Sequence, residues 1–293
     1  MRPEIAATVA LAAEFGIHCE QPRIVNEGFN LLLELCPEPV LARIPTVVAE
    51  IRDPFESARR ELAFAALLAE SDIKAARPSA LVPPGPHRVD GLVISFWELE
   101  REVSRPLDVK AAARSLRRIH DLDPHRAIFL PPFRPLVELD LLLERIGARR
   151  RLASKDIDLL ESEKERLSGL LPKRFDERPL HGDAHFYNIM ESERGAVWID
   201  LEDGCLGPVE WDLATLQTAA RRLGQDLPWR EAVAAYGRTP DHDLLELMIE
   251  LRGVYVAAWH ALGAATIPES ALWRDRWLEL LREDRANRAR ARS

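Results

Sequence analysis

The sequence predicts an α+β fold in two parts, a strand-rich first part holding one long helix and a mostly helical second part. Three observations predict it. Short apolar runs broken by turn residues fill positions 20–45. Apolar residues recur at helical spacing through most of the chain after Trp97. One strand-like patch at 178–201 interrupts those helices.

The elements follow in order. Residues 3–15 read as a short helix. Residues 23–26, 29–35 and 40–44 are apolar runs separated by Glu27-Gly28 and by Pro37, Glu38 and Pro39, which predicts antiparallel strands joined by turns. Asp53 is a candidate N-cap and Pro54 fits the first helical position. Ala58, Leu62, Ala65, Ala66 and Ala69 then give that helix an apolar face. Residues 79–82 and 91–97 read as two more strands around a proline-rich loop at 83–86. The first part is placed at 1–98 and the second at 99–293. Helices are expected near 108–122, 135–147, 155–171, 211–223, 229–236, 241–263 and 268–288, with a frayed basic tail at 285–292.

Composition narrows the function. The 293 residues carry a formal net charge of −8, which argues against a broad nucleic-acid-binding face. Cys19, Cys36 and Cys205 form no C-x-x-C pair and no Cys/His cluster at zinc spacing, so they are expected to be reduced thiols in a cytoplasmic protein. The apolar run at 5–13 is too short to span a bilayer and reads as a helix face, not a signal peptide. No membrane association is expected, and the oligomeric state is left open.

The chemistry is concentrated at 179–214. Phosphoryl transfer needs a carboxylate facing the attacking hydroxyl, and oxygen ligands for Mg²⁺ on the phosphates. A catalytic loop of Asp, four residues and Asn, followed by a strand-end Asp, supplies these. Asp183 and Asn188 have that spacing, and Asp200 follows the apolar run at 196–199. The bland alternative is a tight turn in which Asp and Asn act as caps.

Taken together, His181-Gly182-Asp183 with Asn188, Ile199-Asp200 with Glu202, and Gly207-Pro208 with Asp212-Leu213-Ala214 resemble the three signatures of the aminoglycoside phosphotransferase family, which includes choline-kinase-like enzymes. The resemblance implies a protein-kinase-like fold with two lobes, a small antiparallel-sheet N-lobe and a mostly helical C-lobe, and ATP between them. It implies Asp183 as catalytic base, with Asn188 and Asp200 as Mg²⁺ ligands. His181 would brace the loop, Asp212 would tie the loop backbone from the next helix, and His185 would be a positioning residue. Gly28 and Asn30 would lie in the loop over the phosphates. Arg43 and Glu61 would form the phosphate-side ion pair, with Arg43 standing where Lys is best known. Main-chain groups near Glu98, Leu99 and Glu100 would pair with adenine, and His120 would be packing.

The expected reaction is Mg²⁺-dependent transfer of the ATP γ-phosphoryl group to a hydroxyl of a small molecule. Candidates are an aminoglycoside or other antibiotic, or a metabolite such as choline or a sugar. Asp241, Asp243, Glu246 and Glu250 could suit a polyamine or quaternary ammonium, or could simply favour a helix start. Trp211, Trp229, Tyr236, Tyr255 and Trp259 could supply an aromatic cage. The unusual Arg43 motivates an alternative, a non-catalytic nucleotide-binding scaffold of the same fold. A protein kinase is disfavoured, because Gly182 stands where those enzymes place Arg.

Overall fold

The computed structural model describes residues 1–291. A five-stranded antiparallel sheet in the order β1-β2-β3-β5-β4 is built from β1 (Gln21–Glu27), β2 (Asn30–Cys36), β3 (Val40–Pro45), β4 (His87–Val89) and β5 (Leu92–Glu98). Strand alternation gives the sheet two uses. Leu31, Leu33, Leu35, Ala42 and Ile44 point to one face and bury against α1 (Pro3–Glu14) through Ile5, Leu11 and Ala12. The alternate positions Leu32, Leu41 and Arg43 face the opposite way, toward the rest of the molecule. Leu32 and Arg43 are cross-strand partners, so the register itself delivers Arg43 to that face.

On that face lies α2 (Pro54–Glu70), capped by Asp53, whose carboxylate accepts from the amides of Phe55 and Glu56. Phe64 and Leu68 of α2 join the main core. The helices α3 (Val109–His120), α4 (Pro135–Ala148), α5 (Ser154–Ser168), α6 (Val209–Leu223), α7 (Trp229–Tyr236), α8 (His242–Gly263) and α9 (Pro268–Arg290) make the larger lobe. Its centre is α8, where Leu251, Ala257, Ala258, Ala261 and Leu262 are fully buried. Two small ribbons cross it: β6 (Arg178–Leu180) with β9 (Cys205–Gly207), and β7 (Ile189–Ser192) with β8 (Gly195–Trp198).

The two-lobed α+β architecture agrees with the expectation, with four differences. Residues 79–82 are not a strand: the Ser79 hydroxyl accepts from the amides of Leu81 and Val82 and holds a turn. The fourth strand is instead His87–Val89, directly after the proline-rich loop. The ribbon strand Cys205–Gly207 was not expected, since three residues carry no readable period. The basic tail is not frayed as far as it is described. Helix α9 runs to Arg290, with Arg282 on Asp156 at 2.6 Å and Arg288 paired to Glu163 on α5. Arg292 lies outside the described residues. Among the described residues no helix is long and apolar enough to cross a membrane.

Candidate active site

The loop after β6 is held by groups that a buried backbone requires. Asp212, in the first turn of α6 and fully buried, accepts the amides of His181 at 2.8 Å and Gly182 at 2.9 Å. His120 adds a third contact to Asp212 at 2.9 Å, and its other ring nitrogen meets the Tyr236 hydroxyl at 2.7 Å. His120, expected as packing, is thus part of a buried polar chain. The His181 ring leans on Trp198 and reaches the Ile199 carbonyl at 3.1 Å. Burial lowers its pKa, so it stays neutral. Gly182 has φ of +87°, and a Cβ there would fall 1.9 Å from the Asp203 carbonyl oxygen, so only glycine fits.

This frame presents Asp183. The Asn188 amide donates to the Asp183 carbonyl at 2.9 Å and to its carboxylate at 3.2 Å. His185 Nε2 lies 3.2 Å from the same carboxylate, and the Arg252 guanidinium donates to the other oxygen. Burial opposes the charge of Asp183, but His185 and Arg252 outweigh it and hold the carboxyl well below its usual range. The His185 ring is raised in return: burial opposes its charge and Asp183 favours it.

Asp200 follows β8 with a left-handed backbone, φ +62°, a strained conformation for a residue with a side chain. Its carboxylate receives Arg43 at 2.6 Å. Arg43 also reaches Glu61 at 2.7 Å and Glu202 at 3.0 Å. One planar guanidinium therefore meets three carboxylates, a geometry that the point charge of lysine does not reproduce. Burial is the main cause that pushes Glu61 up to about 8 and Glu202 up to about 7, despite Arg43. The excess of acid over base, offered by hard oxygen donors, fits a divalent cation. Among the described residues no three acidic, histidine or cysteine side chains could hold a metal unaided. Asp200 and the Asn188 amide oxygen would be the protein's share, as suits Mg²⁺ shared with phosphates and water.

Every nucleotide-side candidate lines one cavity of about 350 Å³: Gly28, Asn30, Arg43, Glu61, Glu98, Leu99 and Glu100, together with Asn188 and Asp200. Three contacts bear on these expectations. The amides of Glu98 and Leu99 are already donated to the carbonyls of Arg77 at 2.9 Å and Pro39 at 3.0 Å, so neither can serve a base. The Glu100 carboxylate is bound by Arg194. Asn30 donates to Glu202 at 3.0 Å, tying the first hairpin to the metal-side carboxylates.

A second cavity, about 240 Å³, opens on the other side of Asp200. It is lined by Asp183, His185, Arg52, Arg252, Phe29, Tyr255, Trp259 and His260, among others. Phe29 and Asp200 border both cavities. The acidic cluster at the start of α8 is elsewhere. Asp241 caps the helix at the Leu244 amide, Glu246 is gripped twice by Arg221 at 2.8 and 2.7 Å, Glu250 pairs with Arg166, and Asp243 is exposed.

The profile of the phosphotransferase enzyme family matches residues 42–248. The chain belongs to that family. No curated protein matches the sequence. Solved structures give the same fold. The GDP and kanamycin complex of APH(2")-IIia superposes with a TM-score of 0.64 at 18% identity, covering 97% of this chain and 98% of that one. Spectinomycin phosphotransferase APH(9)-Ia, with ADP and spectinomycin, gives 0.67 at 14% identity over 96% and 98%. The choline kinase LicA from Streptococcus pneumoniae gives 0.64 at 16% identity over 96% and 99%.

Two arginines of this phosphotransferase escaped the sequence reading. Arg252 is 7% exposed on α8, with its guanidinium 5.2 Å from the Trp211 ring and 5.5 Å from Tyr255. Its signal was available: an arginine between Leu251 and Gly253-Val254, in a long and largely apolar helix, must be buried and must have a partner. Arg52 joins Glu138 at 2.7 Å and Asp203 at 2.6 Å across the lobes. It sits in an irregular segment, where no period points it inward.

Proposed function

We propose that the protein transfers the γ-phosphoryl group of ATP, bound with Mg²⁺, to a hydroxyl of a small molecule. One observation carries the reading: Asp183, Asn188 and Asp200 stand where a nucleotide-sized cavity meets a smaller one. The nucleotide would occupy the larger cavity, with its phosphates toward Asn188, Asp200 and Arg43. Mg²⁺, held by Asn188 and Asp200, would offset phosphate charge. Relatives of the same fold have been solved with GDP, ADP or AMP-PNP, and one of these, the amicoumacin kinase hAmiN, also with Ca²⁺, which supports nucleotide and divalent-metal use here.

In the smaller cavity the acceptor hydroxyl meets Asp183. Its oxygen forms the new bond to the γ-phosphorus, the bond from that phosphorus to the bridging oxygen breaks, ADP leaves, and the hydroxyl proton passes to the Asp183 carboxylate. A carboxyl held as acidic as Asp183 is a weak base. Its part is orientation first and proton acceptance late, which a loose transition state permits. Arg252, His185 and Asn188 fix its direction. The non-catalytic alternative rested on Arg43, and that residue makes the ion pair with Glu61 and the link to Asp200 that the donor side needs.

The test is incubation with ATP, Mg²⁺ and a panel of hydroxylated compounds, following phosphorylated product, with Asp183→Asn as control. Absence of product from every acceptor, with ATP still bound, would sink the reading.

A further inference from the structure

Behind the acceptor cavity lies a third chamber of about 450 Å³. Its walls are Leu216, Ala219, Leu223, Leu227, Trp273 and Trp277, from α6, α9 and the loop that follows α6. His185, Arg252, Val256 and His260 border both spaces, so the chamber begins where Asp183 is reached. Among the described residues lining it there is no Asp or Glu, and its one permanent charge is Arg252. His260 adds none near neutrality, because burial lowers its pKa to about 4.

An ammonium group entering this space would lose water, find no counter-ion and face a guanidinium. An aromatic cage offers no substitute. Of the rings in the chamber's wall, Trp273 already has the Arg276 guanidinium 5.4 Å from its centre and Trp277 is 3% exposed, while at the mouth Arg252 lies over Trp211 and Tyr255 and Arg52 over Trp259. The carboxylates at the start of α8 are matched by arginines or spent on capping.

Two buried polar atoms at the chamber have no partner, His185 Nδ1 and Gln225 Oε1. Thr215 and Thr218 donate their hydroxyls to helix carbonyls, so they present little polarity. The chamber thus asks for an apolar body with one or two hydrogen-bonding groups.

We infer that the acceptor is an uncharged alcohol with an apolar body, seated in the Trp273–Trp277 chamber with its hydroxyl at Asp183, and that this chamber does not take the ammonium groups of polycationic or quaternary-ammonium compounds. The inference rests on the phosphotransfer reading but concerns a different part of the site.

The test separates the two. Binding is followed by tryptophan fluorescence in the full-length protein, without chemistry, using phenylbutanol, kanamycin, and choline against its carbon isostere, in which carbon replaces the quaternary nitrogen. Transfer is followed with the same probes, ATP and Mg²⁺. The uncharged isostere should bind at least about tenfold tighter than choline, phenylbutanol should bind, and kanamycin should not compete. Ala219→Phe, which fills the chamber away from Asp183, should abolish phenylbutanol binding and leave ATP binding unchanged. Equal or tighter binding of choline or kanamycin overturns the inference while leaving phosphotransfer standing. So does phenylbutanol binding that survives Ala219→Phe, or absence of binding by either uncharged probe while ATP still binds.

Discussion

The two sides of Asp200 are built on different rules. On the nucleotide side, charge is concentrated: Arg43, Glu61, Asp200 and Glu202 meet within hydrogen-bond distance, and the cavity around them is assembled from strands. On the acceptor side, charges are spread and paired off by Arg52 and Arg252, and the walls are helical and aromatic. In the proposed reaction the first side answers to a ligand that never changes, a triphosphate with its metal. The second answers to whatever carries the hydroxyl. A fixed ligand demands fixed residue types at fixed spacing, and a variable one demands only shape.

The comparison can be broken most decisively on the acceptor side, beside the point the two cavities share. Asp183→Asn keeps the shape of the loop and removes the proton acceptor. Its kcat should fall by about 10²–10⁴-fold, with ATP binding by titration nearly unchanged. A drop of less than tenfold would mean that this carboxylate does not face the attacking hydroxyl.

Next in size is the frame beneath it. Asp212→Ala would strand His120 and two loop amides in a buried space. Urea unfolding should show a loss of about 3 kcal/mol or more. A loss under about 1 kcal/mol would show that the loop holds itself.

His260 tests the acceptor side by pH. Its folded pKa is depressed to about 4, chiefly by burial and then by Arg252. As pH falls below about 6.5 the unfolded chain takes the proton first, so the stability present above that pH is lost progressively toward pH 4. The ceiling is about 3 kcal/mol, reduced by the partial exposure of the ring. His260→Gln should flatten the stability curve in that window, read by denaturant unfolding at several pH values. An unchanged slope would assign the acid limb to other groups.

The smallest expected effect isolates the nucleotide side. Arg43→Lys should raise the KM for ATP by about tenfold, with acceptor binding unaltered. A matching change in acceptor affinity would show that the two sides are coupled through Asp200.

The same contrast explains what was legible in the sequence. His181, Gly182, Asp183, Asn188, Asp200 and Asp212 could be singled out together because metal and phosphate geometry fix their spacing within about thirty residues. Long helices were legible through period, and α2 through Asp53 and Pro54. Arg52 and His260 were not found, because they reach the site from distant elements and obey no local pattern; Arg252 betrayed its burial by its apolar neighbours, but not the carboxylate it meets. Short strands failed for another reason. His87–Val89 and Cys205–Gly207 are set by their partners, and three residues cannot display an alternation. The acid-rich start of α8 was legible as charge but not as direction: which way Glu246 and Glu250 point depends on Arg221 and Arg166, distant in sequence.

Trp273 and Trp277 belong to the last helix, α9, while the cavity that faces the phosphates draws on nothing beyond Asp200. The half of the site that takes the constant ligand and the half that selects the alcohol are thus written in separate stretches of the chain, so α9 can be altered without touching a residue of the phosphate-facing cavity.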